Sequence, residues 1–145
     1  MGFTEAIQTC FSKYVTFSGR AQRSEFWYFI LFTILGSIAI GILESLAFGW
    51  SLLGRGGLSS LFDLVVLLPS ISVAVRRLHD LEKSGWWWWL WLIPIVGWII
   101  LVIWYSTKGT FGGNRFGPDP FGESEDQDDV VFGQKSSIPS VPRKD

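Results

Sequence analysis

Five consecutive residues, Arg76-Arg77-Leu78-His79-Asp80, gather two guanidinium groups, an imidazole and a carboxylate within little more than one helical turn. A second group, Arg20, Arg23 and Glu25 beside Trp27, sets Arg20, Arg23 and Trp27 at i, i+3 and i+7, one stripe of a helix. Several arginines at one level suit bidentate contacts to phosphate, as in anionic lipid head groups or another phosphate-bearing ligand. The plainer reading of the same residues is that they lock helix ends together. Catalysis by His79 and Asp80 finds no support, because neighbours on a helix point apart and no nucleophile accompanies them. A metal site fails on ligand supply: the chain has one His and one Cys, Cys10. That single cysteine also excludes an intramolecular disulfide.

Two more carboxylates, Glu44 and Asp63, interrupt long apolar runs. An acid inside a membrane span is by default a functional candidate. Asp63 with Pro69, whose missing N–H frees a backbone carbonyl and kinks a helix, would fit a small ion or solute pathway. The competing reading has Glu44 and Asp63 reach outward or pair with Arg55.

These groups must be held by apolar helices. The run Phe26–Phe48 would extend about 34 Å as a helix, enough for a hydrocarbon core of about 30 Å. A second run covers residues 58–78 and includes Asp63 and Pro69; a third, Trp86–Tyr105, carries no charge. Ile30–Leu43 and Leu90–Trp104 are apolar on every side, whereas a soluble amphipathic helix keeps a polar face. Three spanning helices are therefore expected. Ser84 is placed to N-cap the third, with Trp86–Trp89 in the interfacial belt. Pro94 and Gly97 read as a kink and a close-packing point within it, and Gly36 and Gly41 as weaker packing points in the first span. The first apolar run begins too far in and runs too long for a cleaved signal peptide, so the N-terminus is expected to be kept.

Lys13, Arg20 and Arg23 precede the first span, and Arg76, Arg77 and Lys83 join the second to the third. With three spans, positive-inside topology puts the N-terminus in the cytoplasm and the C-terminus outside. Both arginine groups then lie at one membrane level, so Arg20, Arg23 and Glu25 are expected to meet Arg76, Arg77, His79 and Asp80, with Arg23 on Asp80 and Arg76 sharing a face with Asp80. Phe3, Ile7, Cys10, Phe11 and Tyr14 mark an amphipathic helix over about 3–17, lying in the interface or packed on the inner end of the bundle. The Gly/Pro-rich stretch 106–120 reads as a structured loop folded on the outer surface with Phe116 in the interface. Residues 1–120 form the membrane domain. Residues 121–145, three Lys/Arg against six Asp/Glu, read as a disordered acidic tail.

Four ordered motifs carry a resemblance: Gly19-Arg20-x-x-Arg23-x-Glu25-x-Trp27, Arg76-Arg77-Leu78-His79-Asp80, Ser84-Gly85-Trp86-Trp87, and Asn114-Arg115-Phe116-Gly117-Pro118-Asp119-Pro120. Over about residues 10–120 the chain resembles the bacterial inner-membrane family catalogued as domain of unknown function 805. The resemblance implies a small polytopic inner-membrane protein and brings no activity, substrate or cofactor with it. The acidic tail and the run of four Trp lie outside the pattern. The sequence thus predicts an all-α polytopic membrane protein, non-enzymatic and without cofactor or metal. Its role is expected to be structural, or lipid- or ligand-binding through Arg20, Arg23, Arg76, Arg77, His79 and Asp80. A transporter or channel subunit using Asp63 and Pro69 is one alternative, and an adaptor binding a protein partner through the N-terminal helix or the tail is another. Membrane lipids, a second copy of the chain or a membrane protein are the expected partners, and nucleic acid is not.

Overall fold

A computed structural model of the chain describes residues 1–48 and 56–121. Arg55 and the acidic tail beyond Phe121 lie outside the described residues. The order is α1 (Phe3–Ser12), α2 (Arg23–Phe48), α3 (Gly57–Asp80), a 3-10 helix (Gly85–Leu92) and α4 (Val96–Ser106). Regular strands are absent among the described residues, which hold one isolated bridge between Asn114 and Gly117. The all-helical expectation holds.

Helices α2 and α3 are each long and apolar enough to cross a membrane. At 1.5 Å per residue they extend roughly 39 and 36 Å. They pack antiparallel, with Glu25 against Arg76 at one end, Ser37 against Asp63 further along, and Glu44 against Leu58 and Ser59 at the other. Gly36 makes room for the Phe62 ring between them, since a Cβ there would lie 2.4 Å from it; Gly41 faces open space. Pro69 lies inside an unbroken α3. Its missing N–H strands the carbonyl four residues back, and that carbonyl, Val65 O, accepts from the Tyr14 hydroxyl at 2.5 Å.

Buried apolar side chains concentrate toward the Arg23/Asp80 end, where Phe26, Phe29, Val73, Leu78, Leu101 and Tyr105 pack together. Large aliphatic side chains elsewhere on α2 and α3, such as Leu46 at 79% exposure and Leu64 at 64%, face outward, as lipid-covered surfaces do. Helix α1 packs on this bundle through Ala6, Cys10 and Phe11, the last edge-on to Phe29 and Phe32. It is shorter than expected, ending at Ser12, where Lys13–Val15 form a turn. The Ser72 hydroxyl contacts the carbonyls of Lys13 and Thr16, tying that turn to α3.

The third expected span is not one helix. The 3-10 helix Gly85–Leu92 and the 11-residue α4 are separated by a turn and lie back to back. Trp87 meets Trp104, Trp91 meets Trp98, and a Cβ on Gly97 would lie 2.0 Å from Leu90 O, so the segment is an antiparallel hairpin. Each arm extends only about 16 Å, half a hydrocarbon core. The expected kink at Pro94 is a full reversal: Ile95, with φ +65° and ψ −70°, centres a tight turn in which Val96 N donates to Pro94 O. Irregular backbone is tolerated in an apolar medium only when its polar groups find partners. Here the Trp98 indole donates to Trp91 O at 2.9 Å, and Ile93 N donates to Leu90 O at 3.0 Å.

The chain after α4 consequently returns to the end from which α2 started. Thr110 N donates to Asp80 O at 2.8 Å, and Gln22 donates to Pro120 O at 2.5 Å. The loop 107–120 therefore sits beside residues 19–23, at the opposite end of the helix pair from the sequence expectation. One reversal at Pro94-Ile95 accounts for that difference.

Candidate functional site

The expected charge network exists, with different pairings and almost complete burial. Asp80 at the last turn of α3 receives Arg20 from both Nε and Nη2 at 2.9 Å on Oδ1, and Arg77 on Oδ2. Arg76 reaches across to Glu25 Oε1 at 2.5 Å. Arg20, Arg76, Arg77, Glu25 and Asp80 are all buried. The expected Arg23–Asp80 pair does not form. Arg23 is exposed at the start of α2, 3.4 Å from Ser106 O, while Arg20 approaches Asp80 from the preceding turn. Arg76 and Asp80 likewise do not pair, because Arg76 is spent on α2 and Asp80 faces the returning loop.

The remaining guanidinium N–H groups serve that loop. Arg20 donates to Gly112 O and Thr110 O at 2.5 Å each. Arg77 donates to Tyr105 O at 3.2 Å, to Ala21 O at 3.4 Å and to Thr107 O. Sequence reasoning missed this partner set, since carbonyls carry no residue signature. It also missed Gly109, whose absent side chain leaves room for the Asp80 carboxylate; a Cβ there would lie 2.0 Å from Oδ2. Three guanidinium groups face two carboxylates, and Arg76 Nε and Nη2 have no partner among the described residues.

Cys10 abuts this network, its thiol donating to Glu25 Oε1 at 3.8 Å. Burial, and then the Glu25 carboxylate, push the thiol pKa up to about 12, so the group stays protonated and poorly nucleophilic.

His79 belongs to a different surface. Its Nδ1 lies 3.2 Å from Gly19 O, and a carbonyl can only accept, so Nδ1 carries the proton and Nε2 is left as an acceptor. The ring stacks on Phe116 with centroids 4.0 Å apart, and the Asn114 side chain donates to His79 O at 2.9 Å. Gly85 permits the close passage there: a Cβ would lie 2.7 Å from Val75 and 3.5 Å from His79 Nε2. Ser84 caps the 3-10 helix, its Oγ accepting from Trp86 N at 3.4 Å. Together Phe17, His79, Ser84, Trp86, Trp88 and Trp89 border an open groove of about 810 Å³. A smaller hollow of about 200 Å³ lies between α2 and the hairpin, where the buried Tyr105 hydroxyl has no partner among the described residues.

The two acids inside the apolar runs are far from this end. Glu44 is buried and caps α3: its Oε1 accepts from Leu58 N at 2.6 Å and Ser59 N at 3.1 Å, and its Oε2 from the Ser59 hydroxyl at 2.8 Å. Asp63 is exposed and accepts from the Ser37 hydroxyl at 3.3 Å. Asp63 and Pro69 border neither the groove nor the hollow. No cluster of His, Cys, Asp and Glu able to hold a metal occurs among the described residues.

Comparison with known proteins finds relatives named as inner membrane proteins. The chain is 45% identical over 108 residues to inner membrane protein YhaH of Escherichia coli K12, an alignment covering 74% of this chain and 88% of that protein. It is 42% identical over 107 residues to inner membrane protein YhaI of the same strain, covering 74% and 87%. The uncharacterized protein YiiR is 37% identical over 102 residues, 66% of each chain. No solved structure matches. A family model described as protein of unknown function matches residues 14–118, from just after α1 through the returning loop, and the chain belongs to that family, DUF805.

Proposed function

We propose that this is a non-enzymatic inner-membrane scaffold. In this reading two helices span the bilayer, a tryptophan-rich hairpin re-enters it, and an internal arginine network clamps the returning loop to the helix ends. The observation that carries it is the fate of the guanidinium groups. Arg20 and Arg77 are buried and directed at Asp80 and at loop carbonyls, an arrangement that fixes chain geometry, and the hollow beside Arg20 and Asp80 is only about 10 Å³. Removing one partner of a buried pair costs about 3–5 kcal/mol, so the clamp holds as a unit. Arg23, exposed on the rim, is the arginine of the original six-residue set still free to meet an anionic head group.

The same geometry supports an orientation with both described ends in the cytoplasm. Eight of the nine Lys/Arg of residues 1–120 then lie at one end, and Arg55 alone falls in the opposite connection. That asymmetry is far larger than three spans would give, and the positive-inside rule assigns the crowded end to the cytoplasm. Substituted-cysteine labelling in a Cys10→Ser background tests it: Thr4→Cys and Lys108→Cys share one side of the membrane. Labelling of the two from opposite sides would refute the re-entrant hairpin.

A further inference from the structure

We propose that the tryptophan-lined groove is a binding site for a membrane aminophospholipid, selecting a primary ammonium head group. The groove opens beside the start of the 3-10 helix, among Trp86, Trp88 and Trp89. In the proposed membrane placement, on which the inference rests only for setting this helix at the lipid–water boundary, such indoles sit at head-group depth. Its walls are mostly apolar, with Phe17 from the α1–α2 connection and Ile71 and Val75 from α3. A volume of about 810 Å³ falls in the range of sites that hold a small molecule or part of a lipid.

The polar groups at the groove decide the head group. No Lys or Arg lines it, so nothing there neutralises a phosphate-only head group such as glycerol phosphate. His79 offers the opposite chemistry. With Nδ1–H given to Gly19 O, Nε2 is a lone-pair acceptor beside Gly85, with no partner among the described residues. Ser84 Oγ accepts from Trp86 N, which leaves its hydroxyl hydrogen free. An acceptor in a groove lined by three tryptophans suits a cation that can also donate: aromatic rings attract the charge, and Nε2 takes an N–H. A primary ammonium satisfies both demands. A trimethylated ammonium satisfies only the first.

The test is lipid competition read by native mass spectrometry of the full-length protein. The probes are equimolar phosphatidylethanolamine, phosphatidylcholine and phosphatidylglycerol of matched acyl chains. Phosphatidylethanolamine is expected to be retained about tenfold over phosphatidylcholine, the worth of one hydrogen bond from a charged donor. In His79→Phe, which keeps an aromatic ring against Phe116, that preference disappears. In Trp86→Leu, a change at a side chain 77% exposed, retention of both zwitterionic lipids falls. Equal retention of the two in the native protein, preference for phosphatidylglycerol, or no retained lipid would each overturn the proposal. These outcomes are read on the unaltered chain, so they stand even if His79→Phe fails to fold. Failure of the scaffold reading shows separately, in the sidedness of Lys108→Cys.

Discussion

Gly109 lies against Asp80 so closely that the smallest side chain would sit 2.0 Å from the carboxylate oxygen Oδ2. Asp80 is the hub on which Arg20 and Arg77 converge, so this contact decides whether the returning loop can close on the helix ends. Gly109→Ala is expected to lower stability by about 1–3 kcal/mol, the usual cost of overpacking a buried site. Gly41→Ala, in open space on α2, supplies the contrast and should be neutral or stabilising through helix propensity. Thermal unfolding in mild detergent separates the two, and equal shifts would remove the contact from the account.

Tyr14 and Pro69 are coupled through one carbonyl. Tyr14→Phe leaves Val65 O without its donor and is expected to cost about 1 kcal/mol. In a Pro69→Ala background the residue-69 N–H is restored and can satisfy Val65 O, so the same Tyr14→Phe change should cost close to nothing. A double-mutant cycle that returns simple additivity contradicts the compensation.

Glu44 is expected to behave as a helix cap. Glu44→Ala removes the acceptor for two backbone N–H groups and the Ser59 hydroxyl at the start of α3, and should destabilise by about 0.5–2 kcal/mol. Asp63→Asn keeps an acceptor for Ser37 and should change stability little. Comparable losses from both would mean that Glu44 is no special anchor.

Cys10 should resist alkylation while the protein is folded. The thiol is fully buried and its pKa is pushed up to about 12 by burial and by Glu25, so the thiolate is scarce from pH 7 to 9. The sign follows from linkage. The folded state holds the thiol proton more tightly than the unfolded chain does, so this group's contribution to stability is fully present below about pH 9 and is lost as pH rises from about 9 to about 12. Maleimide labelling that is slow in mild detergent and fast in denaturant is the expected result. Equal rates in both would place the thiol at the surface.

The helical class, the first two long apolar helices and the meeting of the two arginine groups were legible because each rests on a local property: apolar length, or the placement of charge at helix ends. Ser84 and Gly97 were legible for the same reason, as a cap and as a close-packing glycine. The pairings were not. Arg20 and Arg23 are equivalent on paper, and the choice between them depends on a turn just before α2. The hairpin was hidden by composition: Trp86–Tyr105 is apolar enough to span, and only a reversal at Pro94-Ile95, held by the Trp98–Trp91 hydrogen bond, makes it two short arms. Glu44 was read as a solvent-seeking acid because its partners are backbone N–H groups of another helix. The loop 107–120 carried recognisable residues, but its docking side follows from the hairpin and could not be read independently.

The location of the chain just after the returning loop tests the account most directly. A reporter pair active on opposite sides of the inner membrane, fused after Phe121, will give a cytoplasmic signal if the hairpin re-enters and the Arg20–Asp80–Arg77 clamp holds the loop beside the start of α2. An external signal would mean that residues 86–105 cross the membrane as a third span, and both the hairpin and the clamp would be wrong.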